Sequence, residues 1–533
     1  MNTPQVKFKV TDLTATVGKP TDGISFVLGK AKRGRINKPD IVFNTYNAFV
    51  KEHGGIEAGT STELVKRIFD GGGLVRFCNL GHYTDIDTAA SLTGTKATAS
   101  GNFTDTSVTP VPLFGFTMKH IGADYNNIKI ELLPSSNGLT THFNIRVWHI
   151  SDTSIDELYQ NLSIPTKPSG FNTFNPAVGY LDVIAINSTV VNPTYIDFTA
   201  STIDDAVDSF VTPEAAVITF SGGTNTGTIV AQDMIGSALT GTGLHAFDDY
   251  EDSLQIFYLL PTAIGSTVHV AGDAYASTRG DLQYWAYLSA ASLNKDSLIA
   301  EKALLNINSK YTNFFAAYIK VAHPVTGIIT EQTALADIAG LAAQSDYRFG
   351  THFSFSGNKR GVLKNVLGVV TNYGTNGRFN DLNELAQRQI NCVISRDNQI
   401  KLWGSCTALI NSTQERFISV VRGTFTIKKT LRPLLEDYLE EPNDMQSWKL
   451  MYYQVKPYLE SLVTSRALYS YRWEGDQDVT SLDQLVVNKA EDVTMGKYKV
   501  KLFLSFIVGM QEIEVNLVLT PGNISFEEAA QIA

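Results

Sequence analysis

The sequence predicts an α/β core that is interrupted by a β-rich insertion and followed by an α+β C-terminal part, with a β-strand near each end of the chain. Strand-like and helix-like segments alternate before residue 90 and again after residue 241. Between them, Thr, Ser, Asn and Gly dominate, and short β-rich runs lie between turn signals. At both termini, apolar and polar residues alternate with a period of two, which is typical of a half-buried strand.

These changes in pattern divide the 533-residue chain into six segments. A chain of this length can form several domains, each with its own core. We predict an N-terminal arm at 1–22, the first part of the α/β core at 23–90, an inserted β-rich domain at 91–241, the second part of the core at 242–400, a C-terminal α+β domain at 401–510 and a C-terminal arm at 511–533.

Apolar periodicity locates the elements of the two core parts and of the insertion. In the first part we predict strands at 24–28, 39–43 and 74–80, and helices at 44–53 and 61–69, both followed by glycines. The insertion contains a strand-like run at 143–148. In the second part we predict helical structure at 249–254, a strand at 254–260, a helix at 266–287 broken near Gly272, a helix at 298–306 and a strand at 314–321.

The C-terminal part is expected to combine strands and long helices. Strands are predicted at 401–404 and 417–421, and helices at 424–439 and 444–469. We expect Pro433 to break or restart the first of these helices and Pro457 to kink or break the second, because proline lacks the backbone N–H that a helix needs. Two further strands, at 498–508 and 511–520, are predicted to close this part of the chain.

The two terminal strands carry opposite charge on their polar faces. They consist of Val6, Lys7, Phe8, Lys9 and Val10 near the start, and of Glu512, Ile513, Glu514, Val515 and Leu517 near the end. Pairing the two strands would place lysines opposite glutamates, which is favourable across strands. A terminal strand pairs either within its own chain or with another molecule. The pattern alone favours pairing within one chain.

Composition excludes several classes of protein. Hydrophobic content of 43% and charged content of 18% indicate a folded chain, and the net charge of −10 argues against a general nucleic-acid binder. No run approaches the roughly 18 apolar residues of a membrane span, and nothing predicts a secretory signal. The three cysteines contain no CxxC pair, which favours a reducing compartment. We therefore expect assembly in a cytoplasm.

Charge is spread unevenly along the chain. Residues 91–252 contain 5 Lys and Arg against 17 Asp and Glu, a net of −12, whereas residues 341–435 contain 13 against 5, a net of +8. This asymmetry predicts one acidic and one basic lobe with different neighbours.

Motifs for catalysis are missing from the sequence, which lacks a GxSxG elbow, a P-loop and an HExxH helix. His142 and His149 lie seven residues apart, and His245 lies close to Asp248. A Ser–His–Asp catalytic triad therefore stays an open alternative, because the members of a triad are brought together in space and need no fixed order along the sequence. The cysteines are expected to be small buried apolar side chains rather than nucleophiles.

A basic cluster is the best candidate for an interaction site. It comprises Arg416, Arg422, Lys428, Lys429 and Arg432. On an unbroken helix, Lys428 and Arg432 share one face, since residues four apart are neighbours. An acidic protein partner fits this cluster better than nucleic acid, because aromatic residues for base stacking are not interleaved. A plainly solvated helix face is the alternative.

Several segments, in order, resemble contractile tail sheath proteins. Residues 400–407 (IKLWGSCT) are similar to the family's vWGaRT element, and residues 417–422 (FISVVR) and 441–444 (EPND) to its inVRR…EPN block. Residues 220–224 (FSGGT) and 243–247 (GLHAF) resemble the GGtdG and GL.al stretches. Residues 26–34 (FVLGKAKRG) and 119–127 (KHIGADYNN) are similar to the N-terminal strand and turn and to the element that opens the insertion.

The resemblance implies a structural subunit of a virion tail, one that polymerises as a helical stack of rings around a tube and contracts to drive the tube through a target cell envelope. It implies arm strands exchanged between subunits, an outer insertion and a tube-proximal C-terminal domain, with the tube-facing residues Arg416, Arg422, Lys428, Lys429 and Arg432. The implied partners are further copies of the chain, the tube protein, and baseplate and tail terminator proteins.

The same resemblance implies assembly in the host cytoplasm, with no catalytic residue, cofactor, metal, direct nucleic-acid contact or membrane insertion. Two alternatives are left open. One is a hydrolase with a subtilisin-like fold, which stays open because a fold by itself does not determine whether a protein has catalytic activity. The other is a baseplate or capsid component that does not contract.

Overall fold

The computed structural model describes residues 23–57, 59–104, 112–138, 142–162, 182–195, 216–289, 293–373, 379–411 and 413–510. Over these residues the protein is a mixed α/β structure with several sheets. Both predicted arm strands lie outside the described residues, so their pairing stays a prediction.

The described elements follow one another from Ile24 to Phe506. The strands are β1 (Ile24–Gly29), β2 (Val42–Phe43), β3 (Leu74–Asn79), β4 (Thr98–Ala99), β5 (Phe103–Thr104), β6 (Pro112–Met118), β7 (Ile128–Pro134), β8 (Phe143–His149), β9 (Asp156–Leu162), β10 (Val191–Tyr195), β11 (Val217–Ser221), β12 (Gln255–Leu259), β13 (Gln283–Tyr287), β14 (Thr312–Ala316), β15 (Tyr318–Ala322), β16 (Ile329–Thr333), β17 (Gly368–Val369), β18 (Ile390–Arg396), β19 (Gln399–Trp403), β20 (Leu468–Glu474) and β21 (Lys501–Phe506). The helices are α1 (Tyr46–His53), α2 (Thr62–Asp70), α3 (Asp182–Asn187), α4 (Ala231–Ile235), α5 (Ser266–Arg279), α6 (Lys295–Leu305), α7 (Leu335–Phe349), α8 (Gly357–Arg360), α9 (Phe379–Gln387), α10 (Ile418–Glu436), α11 (Met445–Thr464) and α12 (Ala490–Thr494).

Eight strands form the central sheet, in the order β19–β18–β14–β13–β12–β1–β3–β2. The six inner strands run parallel, and the edge strands β2 and β19 run antiparallel to their neighbours. Strands β1, β12, β13 and β14 are buried along their full length, which explains why they are almost continuously apolar. From β1 the next parallel strand, β3, is added on one side of the sheet, and from β12 the next strand, β13, is added on the other side. The direction in which strands are added therefore reverses between β1 and β12.

Two further sheets belong to the segment predicted as the insertion. One has the order β4–β11–β7–β8–β9 and the other β10–β6–β5. Apolar side chains between residues 97 and 220 form a hydrophobic cluster of their own, with Phe103, Ile130, Ile145 and Val147 fully buried. The β-rich character of this segment is confirmed, while the domain boundaries at 91 and 241 stay a prediction.

A buried cluster of charges ties this segment to the loop after β1. The Arg33 side chain is fully buried and donates to Asp124 at 2.9 Å, to Asp152 at 2.8 Å and to the Ser154 hydroxyl at 2.8 Å. Lys32 pairs with the other Asp124 oxygen at 2.9 Å. Burial raises the pKa of the Asp124 carboxyl, but hydrogen bonds from His149, Lys32 and Arg33 outweigh burial and hold that pKa well below its ordinary value. The carboxylates of the insertion therefore neutralise cations of the core loop.

The C-terminal part has its own apolar core between α10, α11 and the two-stranded sheet β20–β21. Val455 and Leu459 of α11 are fully buried, and Trp473 and Phe506 contribute from the two strands. This combination of helices and a small antiparallel sheet agrees with the α+β prediction.

Several element predictions were wrong, each for an identifiable reason. Residues 249–254 form no helix, and the predicted helix 266–287 is α5 followed by the buried strand β13. Helix α5 continues through Gly272, where a Cβ atom would lie 2.7 Å from the Tyr284 ring. Residues 418–421 begin α10 instead of forming a strand, and the helix α11 stops before β20. Helices α10 and α11 continue through Pro433 and Pro457, so neither proline breaks its helix as predicted.

Candidate interaction surface on helix α10

The apolar side chains of α10 contact three hydrophobic clusters. Ile418 belongs to the large core around the central sheet, and Val421 and Phe425 pack with Leu254. The side chains that reach the C-terminal core are Val420, Ile427, Leu431 and Leu434. Helix α10 therefore joins the C-terminal core to the central sheet, and only part of its surface is open to a partner.

Arg422 lies inside the protein and not on the surface. Its guanidinium forms a two-pronged ion pair with Asp346 of α7, with Nη1 2.9 Å from Oδ1, and Nη2 also donates to Gln255 Oε1 at 3.1 Å. The side chains of Arg422 and Asp346 are 0% and 1% exposed. A tube-facing role for Arg422 is therefore wrong, because a fully buried cation cannot reach a partner.

Lys429 is also used within the chain. Its ammonium donates to the carbonyl oxygens of Glu251 at 2.8 Å and Ser253 at 2.6 Å, and lies 3.0 Å from Asp281. Its side chain is only 7% exposed. Burial lowers the pKa of Lys429, and Asp281 opposes that shift. Lys429 thus fixes α10 to the loop before β12, and its predicted exposure was wrong.

Two members of the basic cluster remain on the surface of the helix. Lys428 is exposed, with its ammonium 3.4 Å from the Gly280 carbonyl, and Arg432 is exposed and paired with the equally exposed Glu251. Arg416 lies before α10, and the part of the helix from Ile418 to Arg432 alone is about 21 Å long at 1.5 Å per residue. Its guanidinium covers the Phe417 ring at 5.5 Å. The five cations therefore do not form one patch.

The sequence contained a signal for the burial of Arg422 that charge counting missed. Arg422 stands in the run FISVVRGTF at 417–425, where most neighbours are apolar. A lone cation in such a run needs a buried carboxylate partner, because an unpaired buried charge is costly. Asp346 supplies it from helix α7.

The sheet β20–β21 is a second candidate interaction site. Its two strands pair only with each other within the described part of the chain. Tyr469 and Phe503, one on each strand, are 69% and 53% exposed. A two-stranded sheet is marginal in water, and its open edges can accept a further strand.

A Ser–His–Asp arrangement does occur in the fold, around His149. Its Nε2 lies 3.2 Å from Asp124 Oδ1, and its Nδ1 lies 3.5 Å from the Ser151 hydroxyl. However, Nδ1 already accepts the backbone N–H groups of Ser151 at 3.1 Å and Asp152 at 3.0 Å. A ring nitrogen whose lone pair is engaged in this way cannot take a proton from the serine. The histidine side chain is also fully buried.

The carboxyl edge of the central sheet holds a cavity of about 460 Å³ at the ends of β1 and β3, bounded on the other side by residues 121–127 of the insertion. Doubly wound sheets bind ligands at such points. Most of the charged lining is paired internally, since Lys32 reaches both Asp124 and Glu57, at 2.9 and 3.7 Å, and Arg33 reaches Asp124 at 2.9 Å. The three cysteines are buried, as predicted, and burial raises the pKa values of Cys78 and Cys392.

Among the described residues, no group of three or more His, Cys, Asp or Glu side chains is arranged to hold a metal ion. None of the described helices has the length and apolar character needed to cross a membrane.

Comparison with known proteins identifies the fold. No protein-family model and no curated protein matches this chain. Among solved structures, a sheath tail protein from Listeria innocua aligns with a TM-score of 0.57 at 12% identity, over 93% of this chain and 98% of that chain. A sheath tail protein from Desulfitobacterium hafniense aligns with a TM-score of 0.52 at 14% identity, over 89% and 94%. The chain has the fold of sheath tail proteins. This sheath fold includes the central sheet, the insertion and the C-terminal part, since the alignments cover nearly the whole chain.

Proposed function

We propose that this protein is the subunit of a contractile tail sheath, which polymerises as a helical stack of rings around a tail tube and contracts to drive the tube through a target cell envelope. The observation that supports this most is the sheath fold over about nine tenths of the chain. The sequence elements at 400–407, 417–422 and 441–444, in the order of the sheath family, support it independently.

Neighbouring subunits are linked by exchanged arm strands in this proposal. The sheet β20–β21 is the acceptor, because both of its edges are unpaired within the described residues and its strands carry exposed apolar side chains. Ordering an arm costs about 1–2 kcal/mol per residue, and each ladder hydrogen bond returns only about 0.5–1.5 kcal/mol. Burial of Val6, Phe8 and Val10, at roughly 1.5–3 kcal/mol each, supplies the difference.

The tube contact in this proposal is made by the exposed part of the basic cluster, Lys428 and Arg432. Each exposed contact contributes about 0–1 kcal/mol and is screened by salt. Weak contacts suit a sheath that must release the tube surface while its subunits stay joined. Baseplate and terminator proteins at the two ends of the sheath, a place in the virion tail and assembly in the host cytoplasm belong to the same proposal.

Hydrolase activity is the competing function, and the geometry around His149 disfavours it because the ring nitrogen facing Ser151 is already an acceptor. Negative-stain microscopy of the concentrated protein separates the alternatives. We expect striated tubes. Dispersed particles under all conditions that fold the protein would contradict the sheath proposal, and closed shells or flat rings would favour a capsid or baseplate component.

A further inference from the structure

The positive charge of the basic lobe is concentrated away from helix α10. Between Asp346 and Asp381 the sequence contains no acidic residue but five Lys and Arg, and three of these cations are Arg348, Lys359 and Arg360. Arg348 and Lys359 are exposed. No ion pair engages any of these three cations within the part of the chain that the structure describes.

These cations surround exposed aromatic side chains. Tyr347 and Phe349, at the end of α7, are 85% and 46% exposed. The Arg360 guanidinium lies 5.4 Å from the Phe349 ring centre, and its Nε is held by the Ser354 carbonyl at 2.6 Å. We call the group Tyr347, Arg348, Phe349, Lys359 and Arg360 the cationic surface. Aromatic and arginine side chains together are typical of the energetic centre of a protein interface.

A complementary surface lies at the turn between α10 and α11. Between Arg432 and Lys449 the sequence contains no Lys or Arg. Four carboxylates there are exposed and have no ion pair among the described residues: Glu436, Asp437, Glu440 and Glu441. Leu439 stands among them and is 71% exposed. We call these five residues the acidic turn.

The two surfaces lie apart on one molecule. Thr351, beside the cationic surface, hydrogen-bonds Thr426 of α10 at 2.8 Å. Glu436 is ten residues further along the same helix, about 15 Å at 1.5 Å per residue. Among the described residues, no ion pair joins the two surfaces.

We propose that the cationic surface of one copy binds the acidic turn of a second copy, with Tyr347 and Phe349 packing against Leu439 inside a ring of ion pairs. The occupant is a second copy because the acidic turn matches the cationic surface both in charge and in having an exposed apolar centre. Two different surfaces that meet in this way form a head-to-tail contact, which propagates into an open assembly. This inference rests on the proposed sheath function and adds the residues of one contact between subunits.

The test uses charge reversal in the full-length protein. Arg348→Glu with Lys359→Glu should lower the fraction that sediments as tubes about tenfold or more, since like charges then face each other. Glu436→Lys with Glu440→Lys should do the same. Combining all four substitutions should restore sedimentation. The matched control is Lys38→Glu with Lys96→Glu, two exposed lysines elsewhere, which should sediment as the wild type does.

Circular dichroism and the melting temperature show whether each variant folds, so that loss of tubes is not confused with unfolding. Normal tubes from the Arg348/Lys359 variant, or failure of the fourfold variant to recover, would overturn the contact while leaving the sheath function intact. If the wild-type protein forms no tubes, sedimentation velocity measures its self-association instead. Self-association that the Arg348/Lys359 variant loses would support the contact and contradict the sheath function. A wild type that stays monomeric contradicts both.

Discussion

Arg422 and Asp346 form a two-pronged ion pair from which solvent is excluded, and this pair joins helix α10 to helix α7. The Arg422 guanidinium also covers the Phe355 ring at 5.4 Å. Burial raises the pKa of the Asp346 carboxyl, and Arg422 opposes that shift. The pair is therefore a joint between the C-terminal part and the central sheet.

Removing one partner of this pair should be strongly destabilising. Arg422→Met leaves Asp346 buried without a cation, and we expect a loss of about 3–5 kcal/mol in the free energy of unfolding. Urea denaturation measures it. Replacing both residues, Arg422→Met with Asp346→Leu, should recover most of the loss, because no uncompensated charge then remains. The exposed pair gives the control: Arg432→Met should change stability by about 1 kcal/mol or less.

Lys429 and its exposed neighbours should respond differently to charge reversal. Lys429→Glu places a carboxylate beside Asp281 and two carbonyl oxygens, so we expect a loss of about 3 kcal/mol in the free energy of unfolding. Lys428→Glu with Arg432→Glu should leave stability within about 1 kcal/mol.

If the tube contact is as proposed, the double variant Lys428→Glu with Arg432→Glu should still self-assemble but should bind tubes weakly in a co-sedimentation assay. Equal loss of self-assembly and tube binding would contradict a tube-facing role for Lys428 and Arg432.

The α/β core could be predicted from the sequence because fully buried strands leave a plain apolar signature, as β1 and β12 do. Strand β13 was missed because QYWAY at 283–287 continues the apolar spacing of α5, and only its pairing between β12 and β14 in the folded sheet makes it a strand. Strand β20 was missed because the helical spacing of α11 runs on to residue 469.

The candidate site was only half predictable, because charge along a sequence does not report burial. Lys428 and Lys429 are adjacent and chemically identical, yet one is exposed and the other binds three oxygens of distant segments. Those partners, at 251–253 and 281, come together only in the folded sheet. The same reason explains Arg422, whose partner Asp346 is 76 residues away in the chain.

The arm strands should act through their apolar face. We expect Val6→Asp, Phe8→Asp and Val10→Asp together to give a folded subunit that forms no tubes, because burial at roughly 1.5–3 kcal/mol per side chain is what holds the arm. Deleting residues 1–10 should have the same effect. Lys7→Ser with Lys9→Ser is the matched control on the polar face and should reduce tube formation only slightly. Normal tubes from the deletion variant, seen by negative-stain microscopy, would refute the arm assignment.

Acidification should destabilise the protein through buried histidines. His53 packs among the rings of Phe43, Phe49 and Phe77, and burial lowers its pKa to about 3. In the unfolded chain its pKa is about 6.5. Below pH 6.5 the unfolded state therefore binds a proton that the folded state does not, and stability falls as pH falls toward 3.

The size of this effect follows from proton linkage. His53 alone should lower the free energy of unfolding by about 1.4 kcal/mol for each pH unit below 6.5. Denaturant titrations at pH 7.0, 6.0 and 5.0 measure the slope, and His53→Gln should make it shallower, since glutamine does not titrate. Phe49→Leu removes a neighbouring ring at 4.9 Å without removing a titrating group, so its curve should run parallel to that of the wild type at lower stability. An unchanged slope in His53→Gln would show that this histidine is not the group that couples folding to pH.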